Sequence, residues 1–138
     1  MKIAIIYYSK TGHSKRIAKA VAKELGVQAQ SLSPKPALSG VDLLFVVGGI
    51  YAGKSDSKLL KYLSTLGRKQ VKRAVLITSS MSKSRQDMVR NTLYNNGIEV
   101  VPDEYVLQGS FLFFGFGHPN AQEIAGAVSF AKKLEEGV

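Results

Sequence analysis

The stretch "IAIIYYSKTGHSKRIAKAVAKELG", Ile3 to Gly26, changes character twice. Ile3 to Tyr8 is a near-continuous apolar run without the in–out alternation of a half-wet strand. Such a run predicts a strand covered on both faces, as in a parallel sheet. Ser9 to Ser14 then supplies three hydroxyls and one glycine. From Ser14 to Leu25, Ile17, Val21 and Leu25 recur every four residues beside Ala18 and Ala22, and Gly26 follows. That is one apolar helix face with a glycine stop. A buried strand, a short polar loop and a helix make the opening of a strand–helix–strand unit.

The same alternation continues to the end of the chain. Lys2–Tyr8, Asp42–Gly48 and Arg73–Ser79 read as buried strands rich in Val, Ile and Leu. Val27–Leu32 is a weaker, peripheral strand. Ile98–Leu107 is the last, with Pro102 marking a bulge or bend. A second helix is expected over Ser55–Leu66, with Leu59, Leu60, Leu63 and Leu66 in one stripe and Gly67 as its stop. A third runs from Ser84 to Asn96, buries Met88, Val89 and Leu93, and stops at Gly97. The fourth begins at Asn120, three residues before Glu123, close to a capping box, and turns Ile124, Ala127, Val128, Ala131 and Leu134 inward. Ser33–Gly40 holds two prolines and is expected to be mostly loop. No linker or repeat interrupts the pattern, so residues 1–138 are read as one α/β domain. Right-handed crossovers and five strands in a chain this short predict an open, doubly wound parallel sheet of order 2-1-3-4-5 with helices on both faces.

Composition narrows the function. There are no cysteines, which excludes thiol catalysis and thiolate metal sites. The two histidines have no carboxylates at ligand spacing, so no metal is expected. No apolar run approaches the length of a membrane span, and the N-terminal run is too short for a secretory signal, so a cytoplasmic location is expected. The net charge of +9 lies wholly in residues 1–69, which hold twelve Lys or Arg and three Asp or Glu; residues 70–138 hold seven of each. Such a field attracts anions or acidic proteins, or is a plain solvated face. Nucleic acid is not the expected partner, because no aromatic residues interleave with Lys15, Lys19 and Lys23. Phe111, Phe113, Phe114 and Phe116 form a second unusual segment, fit either for the core or for covering a ligand.

In a sheet of this kind, ligands bind outside the carboxyl ends of the strands. Three segments leave there: Ser9–Ser14, Gly48–Ser55 and Ser79–Ser84. The first lacks the Gly-Lys-Ser/Thr of a Walker loop and the three glycines of a dinucleotide loop. Its hydroxyls, with the N–H groups at the start of a helix, suit an anion. A simple helix cap by Thr11 or Ser14 is the alternative.

"YYSKTGHSKRIAKAVAKEL" resembles the phosphate-binding signature of flavodoxins. "DLLFVVGGIYAGKSDSKLLKYL" is similar to the family's second loop, and "GHPNAQEIAGAVSFAKKL" to its chain ending. The resemblance implies noncovalent FMN. Ser9, Thr11 and Ser14 would hold its phosphate through hydroxyls, and Lys10, Gly12 and His13 through backbone N–H groups. Tyr51 would lie against the ring, within a second loop of Gly49, Ile50, Ala52 and Gly53. Gly53 would offer a carbonyl to the ring nitrogen that gains a proton on reduction. Ser79, Ser80 and Met81 would line the other face. The third loop departs from the family in lacking an aromatic residue and acids, and His13 stands where Asn is common. The implied function is an electron carrier with redox protein partners; the basic charge of the first half, where the family is commonly acidic, leads one to expect acidic docking surfaces on them. The alternatives are an FMN-dependent oxidoreductase of quinone- or porphyrin-like substrates, and a flavin-free binding module using its basic face. No acid–base or nucleophile–base pairing stands out, which favours a carrier over an enzyme with its own substrate.

Overall fold

The computed structural model describes residues 1–8, 12–33, 35–51, 54–80, 86–107 and 120–137. The chain order is β1 (Ile3–Tyr7), α1 (His13–Leu25), β2 (Ala29–Ser31), β3 (Val41–Tyr51), β4 (Lys54–Ser55), α2 (Ser57–Leu63), β5 (Val71–Ser80), α3 (Asp87–Asn95), β6 (Glu99–Leu107) and α4 (Ala121–Glu136). Five strands are parallel, in the order β2-β1-β3-β5-β6. This is the expected 2-1-3-4-5 winding. The two-residue β4, not foreseen, pairs antiparallel with the end of β3.

The central strands explain why this winding is stable. Leu43, Phe45 and Val47 of β3 point to one face, with Ile5, Val75 and Ile77. Ile17, Ala18 and Val21 of α1 and Ala127 and Ala131 of α4 cover them there. Leu44 and Val46 point to the other face, with Ile6, Ala74 and Leu76, under Leu59 and Leu63 of α2 and Val89 and Leu93 of α3. Alternate side chains of one strand thus enter two cores, and an apolar residue is needed at nearly every position.

Local signals end the elements. Gly26 closes α1 in the left-handed region, at φ 72°, where a side chain would be strained. Asn120 and Glu123 form a complete capping box on α4. At Pro102 the β5–β6 register slips: Ala74 faces Val100, but Leu76 faces Glu104. The last strand therefore bulges where the proline removes a donor.

Several boundaries differ from expectation. β3 runs on through Gly48 to Tyr51, and β5 through Ser80, because these two strands continue to pair, up to Ile50 with Ser80. Ser55 belongs to β4, so α2 begins later, capped by Asp56, whose carboxylate accepts from the Lys58 N–H at 2.7 Å. α2 also ends at Leu63, well before Gly67, in a Ser64 cap and tight turns to Leu66. Met88 is 50% exposed and not buried; it precedes the buried Val89 and faces outward. Phe111, Phe113, Phe114 and Phe116 lie outside the described residues, as does the expected helix start at Ser84.

Phe45 and Met88 give a paired test. Phe45→Ala should destabilise the fold by about 3–5 kcal/mol through lost burial and a cavity. Met88→Ala should stay within about 0.5 kcal/mol of the parent. Urea unfolding should show a lower midpoint at unchanged slope for the first and no shift for the second.

Candidate functional site

Parallel strands bring their carboxyl ends to one edge, and the candidate residues gather there. β1 ends at Tyr7, opposite Val47 of β3. Gly49 and Ile50 pair with Ser79 and Ser80, so the backbones of the second and third segments lie side by side. Tyr51 is the last residue of β3 and pairs with Lys54. Ser79 is buried. Ser9, Lys10, Thr11, Ala52, Gly53 and Met81 lie outside the described residues.

The start of α1 has an unusual electrostatic character. Its cap is Gly12, at φ 86°, which has no side chain to satisfy the first-turn N–H groups. No acid stands in the first turn. The sequence there is His13-Ser14-Lys15-Arg16, so nothing of its own offsets the positive end of the helix dipole. Ser14 is fully buried, and its Oγ has no hydrogen-bond partner among the described residues. Ser14 is therefore not the cap of this helix. A buried hydroxyl without a partner costs about 1–3 kcal/mol, unless a ligand supplies one. The His13 pKa is lowered from its usual 6.5, first by partial burial and then by Arg16. Its imidazole is thus mainly neutral at pH 7. The folded state loses stability as pH falls from 6.5 through that lower value, where the unfolded chain protonates first.

A second feature was missed in the sequence because its members are far apart in the chain. The Glu104 side chain on β6 is fully buried and forms an ion pair with Arg90 at 3.1 Å. Thr78 Oγ1 donates to Glu104 Oε2 at 2.6 Å, and the Gln86 N–H donates to the same oxygen at 2.8 Å. Gln86 has no side-chain cap of its own for α3, so Glu104 caps that helix from the neighbouring strand. Gln86 Nε2 donates to Thr78 Oγ1 at 2.9 Å, and Arg90 to the Val101 carbonyl at 2.9 Å. These bonds tie the end of β5 to the start of α3, the two ends of the third segment. Gln86 also presses on β3: a Cβ at Gly48 would lie 2.8 Å from its Oε1 and 2.9 Å from Leu59. Glycine at 48 is what lets the second and third segments approach this closely. Glu104, one of three acids in the last strand "EVVPDEYVL", was the one available signal.

Among the described residues, no group of three His, Asp or Glu side chains could hold a metal ion. Among them, too, no helix is long and apolar enough to cross a membrane. The donor set of hydroxyl, helix N-terminus and nearby cations suits an anionic group instead.

The family model that matches the sequence is the flavodoxin domain, over residues 4–110. The chain belongs to the flavodoxin family, a class of flavin-binding, electron-transferring proteins. The fold agrees. Oxidised flavodoxin 2 from Bacillus cereus superposes with a TM-score of 0.69 at 15% identity over 100% of both chains. A short-chain flavodoxin associated with a PDU bacterial microcompartment gives 0.71 at 16%, covering 99% of this chain and 98% of that one. An NAD(P)H:quinone oxidoreductase from Methanothermobacter marburgensis gives 0.67 at 14%, covering 97% and 98%. No curated protein sequence matches this one.

The Glu104 cluster makes a definite prediction. Glu104→Gln should cost roughly 3 kcal/mol, because it leaves the Arg90 guanidinium without its counter-charge. Adding Arg90→Met should recover more than half of that loss, a non-additivity that denaturant titration of the two single variants and the double variant can read.

Proposed function

We propose that this protein binds FMN noncovalently at the carboxyl edge of its sheet and works as an electron carrier. The observation that carries the reading is the buried, unpartnered hydroxyl of Ser14, in the first turn of a helix with no acid there. A phosphate oxygen is an acceptor for such a hydroxyl, at a helix end whose dipole favours an anion. In this reading Ser9, Thr11 and Ser14 hold the phosphate through hydroxyls. Lys10, Gly12 and His13 hold it through backbone N–H groups. Tyr51 covers one face of the ring, where aromatic stacking contributes about 0.5–1.5 kcal/mol beyond the buried area. Ser79, Ser80 and Met81 line the other face, and Gly53 supplies a carbonyl.

When bound, the flavin supplies the redox chemistry, taking up and releasing one electron at a time. The protein's own contribution is to fix the two walls. The Glu104 cluster holds the third segment, and Gln86 against Gly48 sets its distance from the second. The basic surround favours the reduced, anionic cofactor and acidic protein partners.

Ser14→Ala should weaken FMN by about 10–100-fold, the loss of one hydrogen bond to a charged group. Riboflavin, which lacks the phosphate, should change less than about threefold. Flavin-fluorescence titration of both ligands reads this directly, and equal losses would show that Ser14 does not contact the phosphate. Rapid turnover of a quinone with a nicotinamide donor by the loaded protein alone would replace the carrier reading with an oxidoreductase.

A further inference from the structure

A cleft of about 290 Å³ opens beside the candidate site, between the ends of β1 and β2 and the outer side of α2. Its apolar walls are Tyr8, directly after β1, Leu32, directly after β2, and Tyr62 of α2. Leu32 and Tyr62 are buried, and the Tyr62 hydroxyl donates to the Pro36 carbonyl at 2.7 Å. That bond fixes the ring as a wall of the cleft. Three lysines complete the lining: Lys35 from the connection after β2, and Lys58 and Lys61 from α2. The Lys58 Nζ stands 5.8 Å from the centre of the Tyr8 ring, within cation–π range.

What sets these lysines apart from other lysines without an ion pair among the described residues, such as Lys19, Lys23 and Lys69, is that they line one apolar cleft. Lys72 pairs with Asp42, Arg73 with Glu99, Arg90 with Glu104 and Lys132 with Glu24. Among the described residues, Lys35, Lys58 and Lys61 make no ion pair, and no acid lines the cleft. The one acid close in sequence, Asp56, is buried at the cap of α2 and accepts from the Lys58 N–H. Three like charges thus converge on an apolar hollow whose described lining holds no counter-charge. Repulsion of this kind is relieved by an anionic occupant, and the aromatic walls require that occupant to carry an apolar side chain as well.

We infer that this cleft is a docking site for an acidic segment of a partner protein, one apolar side chain flanked by carboxylates. The apolar side chain enters between Tyr8 and Tyr62, and the carboxylates meet Lys35, Lys58 and Lys61. Tyr8 leads directly into the first candidate loop, and α2 follows the second, so a partner held here stands beside the cofactor edge. That the partner is a redox protein rests on the FMN reading above; the docking itself does not.

The test uses the FMN-loaded full chain and two blocked pentapeptides, Glu-Asp-Phe-Glu-Asp and Glu-Asp-Gly-Glu-Asp, titrated at low salt by NMR. The phenylalanine peptide should bind roughly tenfold more tightly than the glycine one, as expected for burying an aromatic side chain, and should weaken as salt rises. Lys35→Glu/Lys58→Glu/Lys61→Glu should weaken it by at least about tenfold. Lys19→Glu/Lys23→Glu/Lys69→Glu, an equal change of net charge on exposed positions elsewhere, should weaken it less than about threefold. Equal losses in the two variants, or equal binding of the two peptides, would reduce the cleft to part of a diffuse field and overturn the proposal. Tighter binding to phosphatidylserine-containing vesicles with the same lysine dependence would also overturn it, in favour of a membrane surface. FMN titration of the parent chain reads the cofactor assignment separately, so either idea can fail alone.

Discussion

The structure depends on β3 lying between β1 and β5 with both of its faces covered. Phe45 and its neighbours send alternate side chains into two separate cores, and neither core tolerates a polar residue along the middle of the strand. Polar chemistry is thereby confined to the ends of the strands. At the carboxyl end the parallel arrangement makes every strand turn away into a loop or helix at the same edge. The location of the candidate site follows from sheet geometry before any side chain is considered.

Two departures from ordinary core chemistry occur at that edge. Glu104 and Arg90 form a partly buried ion pair, which is seldom a net source of stability. Its partners, Thr78 and the Gln86 backbone, are the two sides of the third segment. Position rather than stability is what the pair provides. The buried Ser14 hydroxyl is the complementary case, a polar group for which the described chain offers no partner. The Glu104 cluster shapes the edge although Gln86 Oε1 and Arg90 Nε within it also lack a partner among the described residues, and the Ser14 hydroxyl stands at the start of α1.

Much of this was legible in the sequence. The runs Ile3–Tyr8 and Asp42–Gly48 could be read as parallel strands because burial on both faces leaves no alternation to confuse. Gly26 and Gly97 marked helix ends because their positive φ values are ones that side chains rarely adopt. The order of the sheet followed from handedness and strand number. The extension of β3 to Tyr51 was hidden, since Gly48 and Gly49 signal a turn locally. The need of Gly48 for close approach to Gln86 appears only when α3 is in place. Met88 was misassigned because α3 buries a narrower stripe than its apolar residues suggest. The Glu104 cluster joins residues 8 to 26 positions apart, beyond any local pattern. At the site, hydroxyl type and spacing were visible, but the burial of Ser14 without a partner was not.

The role of the carboxyl edge turns on whether the start of α1 takes a phosphate. Phosphorus NMR of FMN added to the protein, followed across pH 5 to 8, examines that contact alone. A free phosphate monoester titrates with a second pKa of about 6. Held by hydroxyls and helix N–H groups, it stays dianionic, because hydrogen bonds to the charged form favour it. The bound signal should therefore be displaced from free FMN and nearly constant over this range. A signal that titrates near 6 like free FMN while the flavin is bound would leave the phosphate in water, and would contradict the central claim.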